Sequence, residues 1–179
     1  MKKKRNKTYI LFIVAFAALC VFAGSFVVIF DVANWQKLNH DKLSSLSQTS
    51  TVFDSNGELL SELRSEENRR IVPLSDIPVH TQLSFIAAED LRFYTHQGVD
   101  YYRILGALRN NLKNGSISEG ASTITQQLAK LTHLSSERTI RRKLEEISLA
   151  FQIEKAYSKD EILEFYLNTV YFGRGVYGI

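Results

Sequence analysis

The chain has 179 residues and a formal net charge of +3, and 45% of its residues are hydrophobic. That length accommodates one membrane anchor and one domain of moderate size, and that hydrophobic fraction is ample for a packed core. The sequence contains one cysteine, which excludes an internal disulfide bond as a source of stability.

The N-terminus combines a basic segment with a long uncharged one. Residues 1–8 contain five basic residues and no acid, and the segment Tyr9–Phe30 that follows carries no charge. A helix of that length spans roughly 33 Å, enough to cross the hydrocarbon core of a bilayer. The positive-inside rule then predicts a cytoplasmic tail, a single-pass anchor in the cell membrane and a remainder outside the cytoplasm. A cleaved signal peptide ending near Ala23 is the alternative, which the continued apolar run to Phe30 disfavours.

A polar stalk and a β-hairpin are predicted after the anchor. Residues 31–49 mix polar residues with leucines and are predicted to form the stalk, so that the folded domain covers residues 50–179. Within Ser50–Arg64, the β-formers Val52 and Phe53 precede an Asp-Ser-Asn-Gly turn, a pattern typical of a hairpin.

From Pro78 onward the apolar residues recur at helical spacing, so the sequence predicts a mainly α fold. Two capping boxes mark helix starts, one at Thr123 and the other at Ser158. The first two predicted helices are Val79–Tyr94 and Tyr101–Leu112. A third starts at Thr123 and has an apolar stripe of Ile124, Leu128 and Leu131. The fourth is Glu137–Tyr157, with an apolar face of Ile140, Leu144, Ile147 and Phe151, and the fifth starts at Ser158 and ends before Gly173.

The stretch GASTITQQ, residues Gly120–Gln127, places small polar residues at a predicted helix start. Unpaired backbone N–H groups and the positive end of the helix dipole favour an anion there. Lys130 shares a predicted helix face with Gln126, and four basic residues follow in the next helix. These four are Arg138, Arg141, Arg142 and Lys143. The pattern is typical of a phosphate or diphosphate site, although from spacing alone a solvated basic face is at least as well supported.

A second polar stretch, FIAAEDLRFYTHQG, contains Glu89 four residues from both Phe85 and Phe93. A carboxylate that aromatic rings shield from water binds a proton more readily, which suits a general base near neutral pH. The alternative is a surface acid at the edge of an amphipathic helix.

The neighbours of this glutamate are expected to have structural roles. Asp90 is predicted to hold a hydrogen bond, Gly98 to relieve a turn, and His96 has no evident partners for a metal site. Together with Glu146, a second carboxylate beyond the basic cluster, Glu89 suggests sugar chemistry through acid and base roles.

Five stretches resemble, in the correct order, the motifs of the peptidoglycan glycosyltransferases (glycosyltransferase family 51). EDLRFYTHQG resembles EDxxFxxHxG, GASTITQQ resembles GxSTxTQQ, and RKLEE resembles RKxxE. SKDEILEFYLNTVYFG is similar to KxxILExYLNxxYFG, and GRGVYGI is similar to the start of the last motif. The resemblance covers Ser50–Ile179, and five motifs in series are very specific.

The resemblance implies a lysozyme-like helical fold outside the membrane and the polymerisation of lipid II. The growing glycan would move, with inversion, from its polyprenyl diphosphate to the 4-hydroxyl of the next disaccharide. The hairpin and stalk resemble the N-terminal region of class A penicillin-binding proteins, in which a transpeptidase follows. The glycosyltransferase domain is therefore expected to be C-terminally incomplete at Ile179, as the first half of a bifunctional protein.

The resemblance also assigns roles by position. Glu89 would be the general base for the acceptor hydroxyl, and Glu146 would assist the departing diphosphate. The cations that would neutralise the diphosphate are Lys130, Arg138, Arg142 and Lys143. The residues that would line the donor cleft are Ser122, Thr123, Gln126 and Gln127. The residues that would support Glu89 are Asp90, Phe93, His96 and Gly98.

The implied partners are lipid II, the growing glycan strand and membrane lipid, with room for other cell-wall synthesis or division proteins and with no nucleic acid. No cofactor is required, although the family is sometimes reported with a divalent cation (Mg²⁺ or Mn²⁺), and no local acid cluster here demands a metal. Two departures stand out, since Ala121 replaces a frequent glycine and Glu145 places an acid beside Glu146.

Two other functions remain as alternatives. The first is a lysozyme-like enzyme that cleaves glycan. Such an enzyme does not bind a diphosphate, so the cluster of cations disfavours it. The second is a membrane-anchored scaffold of the division or elongation machinery that lacks activity, which the presence of both Glu89 and Glu146 disfavours.

Overall fold

A computed structural model describes residues 13–19, 35–46, 49–63, 68–114 and 120–179. The chain divides into two units, Met1–Gln36 and Lys37–Ile179. In the first unit, residues 13–19 are helical, and the rest of the predicted span Tyr9–Phe30 lies outside the described residues. Among the residues that are described, no helix combines the length and the apolar character needed to cross a membrane.

The second unit is mainly helical and contains a β-hairpin near its N-terminus, as predicted from the sequence. Its helices are α1 (Asp41–Ser44), α2 (Val79–Glu89), α3 (Tyr101–Asn114), α4 (Ile124–His133), α5 (Ile140–Ala156) and α6 (Lys159–Thr169). Its strands are β1 (Ser50–Phe53), β2 (Leu59–Leu63), β3 (Asn68–Arg69), β4 (Tyr171–Gly173) and β5 (Val176–Tyr177). Short 3₁₀ helices cover Leu74–Asp76 and Phe93–Thr95.

The strands form two small sheets. Strands β1 and β2 pair antiparallel, and the Asp54 carboxylate closes their turn by accepting the N–H groups of Asn56 and Glu58, each at 2.8 Å. Strand β5 lies between β3, which is parallel to it, and β4, which is antiparallel. The hairpin is confirmed, but the sequence did not reveal the three-stranded sheet, because strands of two or three residues carry too little alternation to detect.

The core lies where α4, α5 and α6 pack together. Leu128 of α4, Leu149 and Ile153 of α5, and Leu163 and Leu167 of α6 are all fully buried. Both predicted capping boxes, at the starts of α4 and α6, are confirmed. These three helices therefore form the packed core from which the polar stretches extend.

Only part of the apolar face predicted for α5 is buried, with Leu144 and Ile147 half-buried. Ile140 is 83% exposed and Phe151 is 41% exposed, whereas Glu146, Leu149 and Ile153 face the core. Apolar residues occur on more than one side of this helix, so periodicity alone cannot decide which side packs. In α4, Leu131 of the predicted stripe is likewise 42% exposed.

The predicted stalk is part of the compact unit from Lys37 onward. Leu43 of α1 is 1% exposed and belongs to the hydrophobic core. The Leu38 N–H donates to Gln152 Oε1 at 3.1 Å, and the Asn39 N–H donates to His133 Nε2 at 3.1 Å. The folded unit thus begins before Ser50, because this polar segment contributes one core leucine and backbone hydrogen bonds to distant helices.

The prediction of one helix over Val79–Tyr94 is also wrong at its C-terminal end. Helix α2 ends at Glu89, and Asp90 leaves the helix with φ −158° and ψ 73°. The reason is the Asp90 side chain, which is buried and bonded to groups outside the helix. Glu89 and Phe93 are consequently not one turn apart on a shared helix.

Candidate active site

Glu89 is held at the end of α2 by contacts with two other helices. Its carboxylate Oε2 accepts a hydrogen bond from Gln127 Nε2 of α4 at 2.8 Å. Its backbone carbonyl accepts a hydrogen bond from the Arg103 guanidinium of α3, which satisfies one of the unpaired carbonyls at a helix C-terminus. Within the described part of the chain, Glu89 Oε1 accepts no hydrogen bond, so one oxygen of this half-buried carboxylate remains available.

Asp90 ties the end of α2 to the start of α4. The carboxylate is 1% exposed, and its Oδ2 accepts the Ile124 N–H at 3.0 Å and a bond from His96 Nε2 at 2.9 Å. The prediction that Asp90 holds a hydrogen bond is therefore confirmed. His96 serves the same link, and no group of three or more His, Cys, Asp or Glu residues positioned for a metal ion occurs among the described residues.

Gly98 lets the loop after α2 approach α5 closely. Its φ is +86°, and a Cβ built there would lie 3.1 Å from the Ala150 carbonyl oxygen. The Gly98 carbonyl accepts a hydrogen bond of 2.6 Å from Thr123 Oγ1. Phe93, in the same loop, is fully buried, with the Lys159 ammonium 4.5 Å from its ring centroid. The loop thereby fixes the segment that begins α4.

Two residues of the GASTITQQ stretch are used to build the helix start. Thr123 Oγ1 accepts the Gln126 N–H at 3.2 Å, and Gln126 Oε1 accepts the Thr123 N–H at 3.0 Å. Both side chains are buried, at 0% and 2% exposure. Their hydrogen-bonding groups therefore serve the capping box, whereas Lys130, predicted on the Gln126 face, is exposed.

The other two residues predicted to line the donor cleft, Ser122 and Gln127, contact charged groups. Gln127 contacts Glu89, as described above, and Ser122 Oγ accepts a hydrogen bond from Lys143 Nζ at 2.9 Å. The first turn of α4 and the residues just before it therefore connect the carboxylate at the end of α2 with a cation on α5.

The α5 cations surround a buried carboxylate. Glu146 is 2% exposed, and it pairs with the Lys143 ammonium and with Arg142 Nη1, the latter at 3.4 Å. A buried carboxylate without countercharges is costly, so the two cations and Glu146 stabilise one another. Glu145 pairs instead with Arg141 at 3.1 Å. Glu145 therefore has its own cationic partner and does not pair with Arg142 or Lys143 in the cluster around Glu146.

Two further predicted cations differ from this pair. Lys130 and Arg138 are exposed, and neither forms an ion pair with any residue in the described ranges. They are therefore available to a ligand, whereas Arg142 and Lys143 are held in place by Glu146.

The sequence matches the family described as Transglycosylase over residues 56–179. This chain belongs to the transglycosylase family. The family resemblance inferred from the five motifs is thereby confirmed.

Three relatives illustrate how this transglycosylase sequence compares with named proteins. It is 48% identical over 136 residues to Penicillin-binding protein 4 of Bacillus subtilis (strain 168). That alignment covers 75% of this chain and 22% of that protein. It is 43% identical to Penicillin-binding protein 1A/1B of the same strain, over 97% of this chain and 19% of that protein. It is 39% identical to Penicillin-binding protein 1A of Clostridium tetani (strain Massachusetts / E88), over 99% of this chain and 24% of that protein. The chain thus spans less than a quarter of the length of each.

Reasoning from the sequence missed two residues that contact this candidate site. Arg103 contacts the Glu89 carbonyl, and Tyr166 of α6 donates a hydrogen bond to Gln127 Oε1 at 3.4 Å. Tyr166 lies inside the FYLN portion of a quoted motif, in a helix whose neighbours are apolar. A tyrosine buried on such a face needs a polar partner, and that was the available signal.

Proposed function

We propose that this chain is the glycosyltransferase domain of a class A penicillin-binding protein, with a lysozyme-like fold, and that it polymerises lipid II with inversion at the sugar. One observation carries the proposal. In the segment that begins α4, Gln127 contacts the half-buried carboxylate of Glu89, and Ser122 contacts the ammonium group of Lys143. Glycosyl transfer from a diphosphate requires a base and a site for the anionic leaving group, and this one segment contacts a candidate for each.

On the acceptor side, Glu89 is the general base. Its Oε1 takes the proton of the acceptor's 4-hydroxyl as that oxygen attacks the anomeric carbon of the donor. The bond from the anomeric carbon to the diphosphate oxygen breaks on the opposite face, and both bonding electrons leave with the diphosphate. The contacts of Gln127 and Arg103 support this role, because they fix the side chain and the backbone of Glu89.

On the donor side, Arg142 and Lys143 bind the diphosphate. With Glu146 between them, two positive charges and one negative charge leave the cluster a net charge of +1 (2 − 1). Glu146 keeps both cations in place before the donor arrives, and their charge-assisted hydrogen bonds then stabilise the departing diphosphate. Lys130 and Arg138 extend the positive surface, since both are exposed.

We assign these steps to protein groups, and no group of three or more His, Cys, Asp or Glu is placed for a metal ion among the residues that the structure describes.

The test is to incubate the full-length protein in detergent with labelled lipid II and to separate the products by size. We expect labelled polymer, and we expect no release of soluble fragments from purified cell walls by the same preparation. Solubilised cell wall without polymer would identify a glycan-cleaving enzyme. Binding of lipid II without either product would identify a scaffold.

The proposal extends to location. The segment Tyr9–Phe30 would anchor the chain, with residues 1–8 in the cytoplasm and the catalytic unit outside. The names of the relatives support a penicillin-binding protein, and the proposal includes a transpeptidase that follows this domain. Reporter fusions before Tyr9 and after Phe30 test the topology, and a reporter that is active only outside the cytoplasm should function only in the second fusion.

A further inference from the structure

We infer that Tyr166 is a positioning residue for Glu89 and acts through the side-chain amide of Gln127. The inference rests on the proposed function, because it takes Glu89 as the base. It assigns to Gln127 a role in orienting the base, and it gives α6 a part in the chemistry.

The three side chains form a hydrogen-bonded chain with a defined direction. The Tyr166 hydroxyl donates to Gln127 Oε1 at 3.4 Å, and Gln127 Nε2 donates to Glu89 Oε2 at 2.8 Å. An ionised carboxylate can only accept hydrogen bonds, so the amide nitrogen must face Glu89 and the amide oxygen must face the hydroxyl. The 3.4 Å contact is longer than an ideal O–H···O bond, and hydrogen bonds of catalytic groups often shorten when substrate binds.

Tyr166 is suited to remain a donor. It is 1% exposed, and its ring meets the Phe85 ring edge-on at 6.4 Å between centroids. Burial and, after it, the nearby charge of Glu89 raise the pKa of Tyr166 to about 12, so the hydroxyl keeps its proton at neutral pH. Because the ring is buried in the hydrophobic core, the position of the hydroxyl follows the backbone of α6.

The chain of bonds restricts the carboxylate of Glu89. If the hydroxyl is removed, the Gln127 amide oxygen loses this donor, and the amide is free to rotate away from Glu89. The carboxylate then loses the contact that fixes Oε2, so Oε1 is aligned with the acceptor hydroxyl for a smaller fraction of the time. Misalignment of a base slows the chemical step without removing any contact to substrate.

The test compares two tyrosine variants in lipid II polymerisation by the full-length protein. Tyr166→Phe should lower kcat by roughly two- to tenfold, the range expected for one intramolecular hydrogen bond, with an unchanged KM. Tyr157→Phe is the matched control, because its hydroxyl bonds His40 Nδ1 at 2.7 Å and takes no part in the site. The control should keep normal kcat. Equal kcat in the two variants, or a change confined to KM, would overturn the assignment.

A double-mutant cycle separates positioning from general destabilisation. Gln127→Leu removes the connecting amide, so adding Tyr166→Phe to it should lower kcat no further, whereas Tyr157→Phe should be neutral in both backgrounds. A full additional loss from Tyr166→Phe in the Gln127→Leu background would refute transmission through Gln127. All variants are assayed at a temperature at which circular dichroism shows Tyr166→Phe to be folded, so that a lowered kcat reports on the site and a normal kcat for Tyr166→Phe refutes the inference.

Failure of the proposed function would look different, because wild-type protein would then form no polymer.

Discussion

The close approach of the Gly98 loop to α5 predicts that Gly98→Ala destabilises the domain and disturbs its site. An L-residue at φ +86° costs about 1–2 kcal/mol, and the new Cβ would lie 3.1 Å from the Ala150 carbonyl oxygen. Because backbone rather than a flexible side chain is in the way, the loop must shift, and the 2.6 Å bond from Thr123 to the Gly98 carbonyl lengthens with it. We expect a total loss of about 2–4 kcal/mol, which is a large part of a typical net stability of about 5–15 kcal/mol.

Gly57→Ala is the matched control, because Gly57 has nearly the same φ, +83°, but an added Cβ there meets nothing within 4 Å. The assay is thermal unfolding followed by circular dichroism, in which about 3 kcal/mol corresponds to a Tm lower by roughly 6–12 °C. We expect a clearly larger decrease for Gly98→Ala than for Gly57→Ala. Equal decreases would show that the backbone penalty alone operates and that residue 98 does not pack against α5.

Three further predictions concern charge, pH and the extent of the domain. Lys143→Ala should raise KM for a donor analogue by about 10- to 100-fold while leaving acceptor use little changed, with the exposed Lys155→Ala as control; equal effects on both substrates would contradict a donor role. Burial lowers the pKa of His133 below its ordinary value of 6.5, so the unfolded chain binds this proton more readily and stability should decrease as pH falls below about 6.5. The Tm of wild type should therefore drop from pH 7 to pH 5 more than that of His133→Gln, and parallel curves would contradict this. Leu43→Ala should cost about 2–4 kcal/mol because this leucine is 1% exposed, whereas Leu60→Ala, at a position 66% exposed, should be nearly neutral; equal Tm values would place residues 37–46 outside the folded unit.

The elements that the sequence predicted correctly are those whose cause is local. The capping boxes at Thr123 and Ser158 depend on residues three apart, and the turn of the hairpin depends on four consecutive residues. Such interactions are specified by neighbouring positions, so a single sequence contains enough information to find them. The five motifs are also short stretches of consecutive residues, so the family could be recognised from the sequence in the same way.

The errors occurred where distant residues decide. Helix α2 ends at Glu89 because Asp90 bonds the backbone of Ile124, a contact across 34 positions that no local pattern shows. The segment containing Leu43 joins the domain through partners such as Gln152, far along the chain. Apolar residues on several sides of α5 left its packed face undetermined until α4 and α6 were in place.

For the candidate site, too, the sequence predicted some features and the structure was needed for others. Residue types and motif positions sufficed to select Glu89, Glu146 and the cations. The structure added which groups are fixed and which are available, since Thr123 and Gln126 are buried in a helix cap. It also added Tyr166, whose link to Glu89 passes through a side chain from a third helix.

The central claim is that Glu89 is the base of a lipid II polymerase. The most direct measurement is the single-turnover rate of polymerisation by the full-length Glu89→Gln variant at saturating lipid II, compared with wild type and with Glu58→Gln, which changes an exposed carboxylate in the hairpin. We predict a rate lower by about 10²–10⁴-fold for Glu89→Gln, with lipid II binding and Tm close to those of wild type, and a normal rate for Glu58→Gln. A Glu89→Gln rate within a few-fold of the wild-type rate would contradict the account.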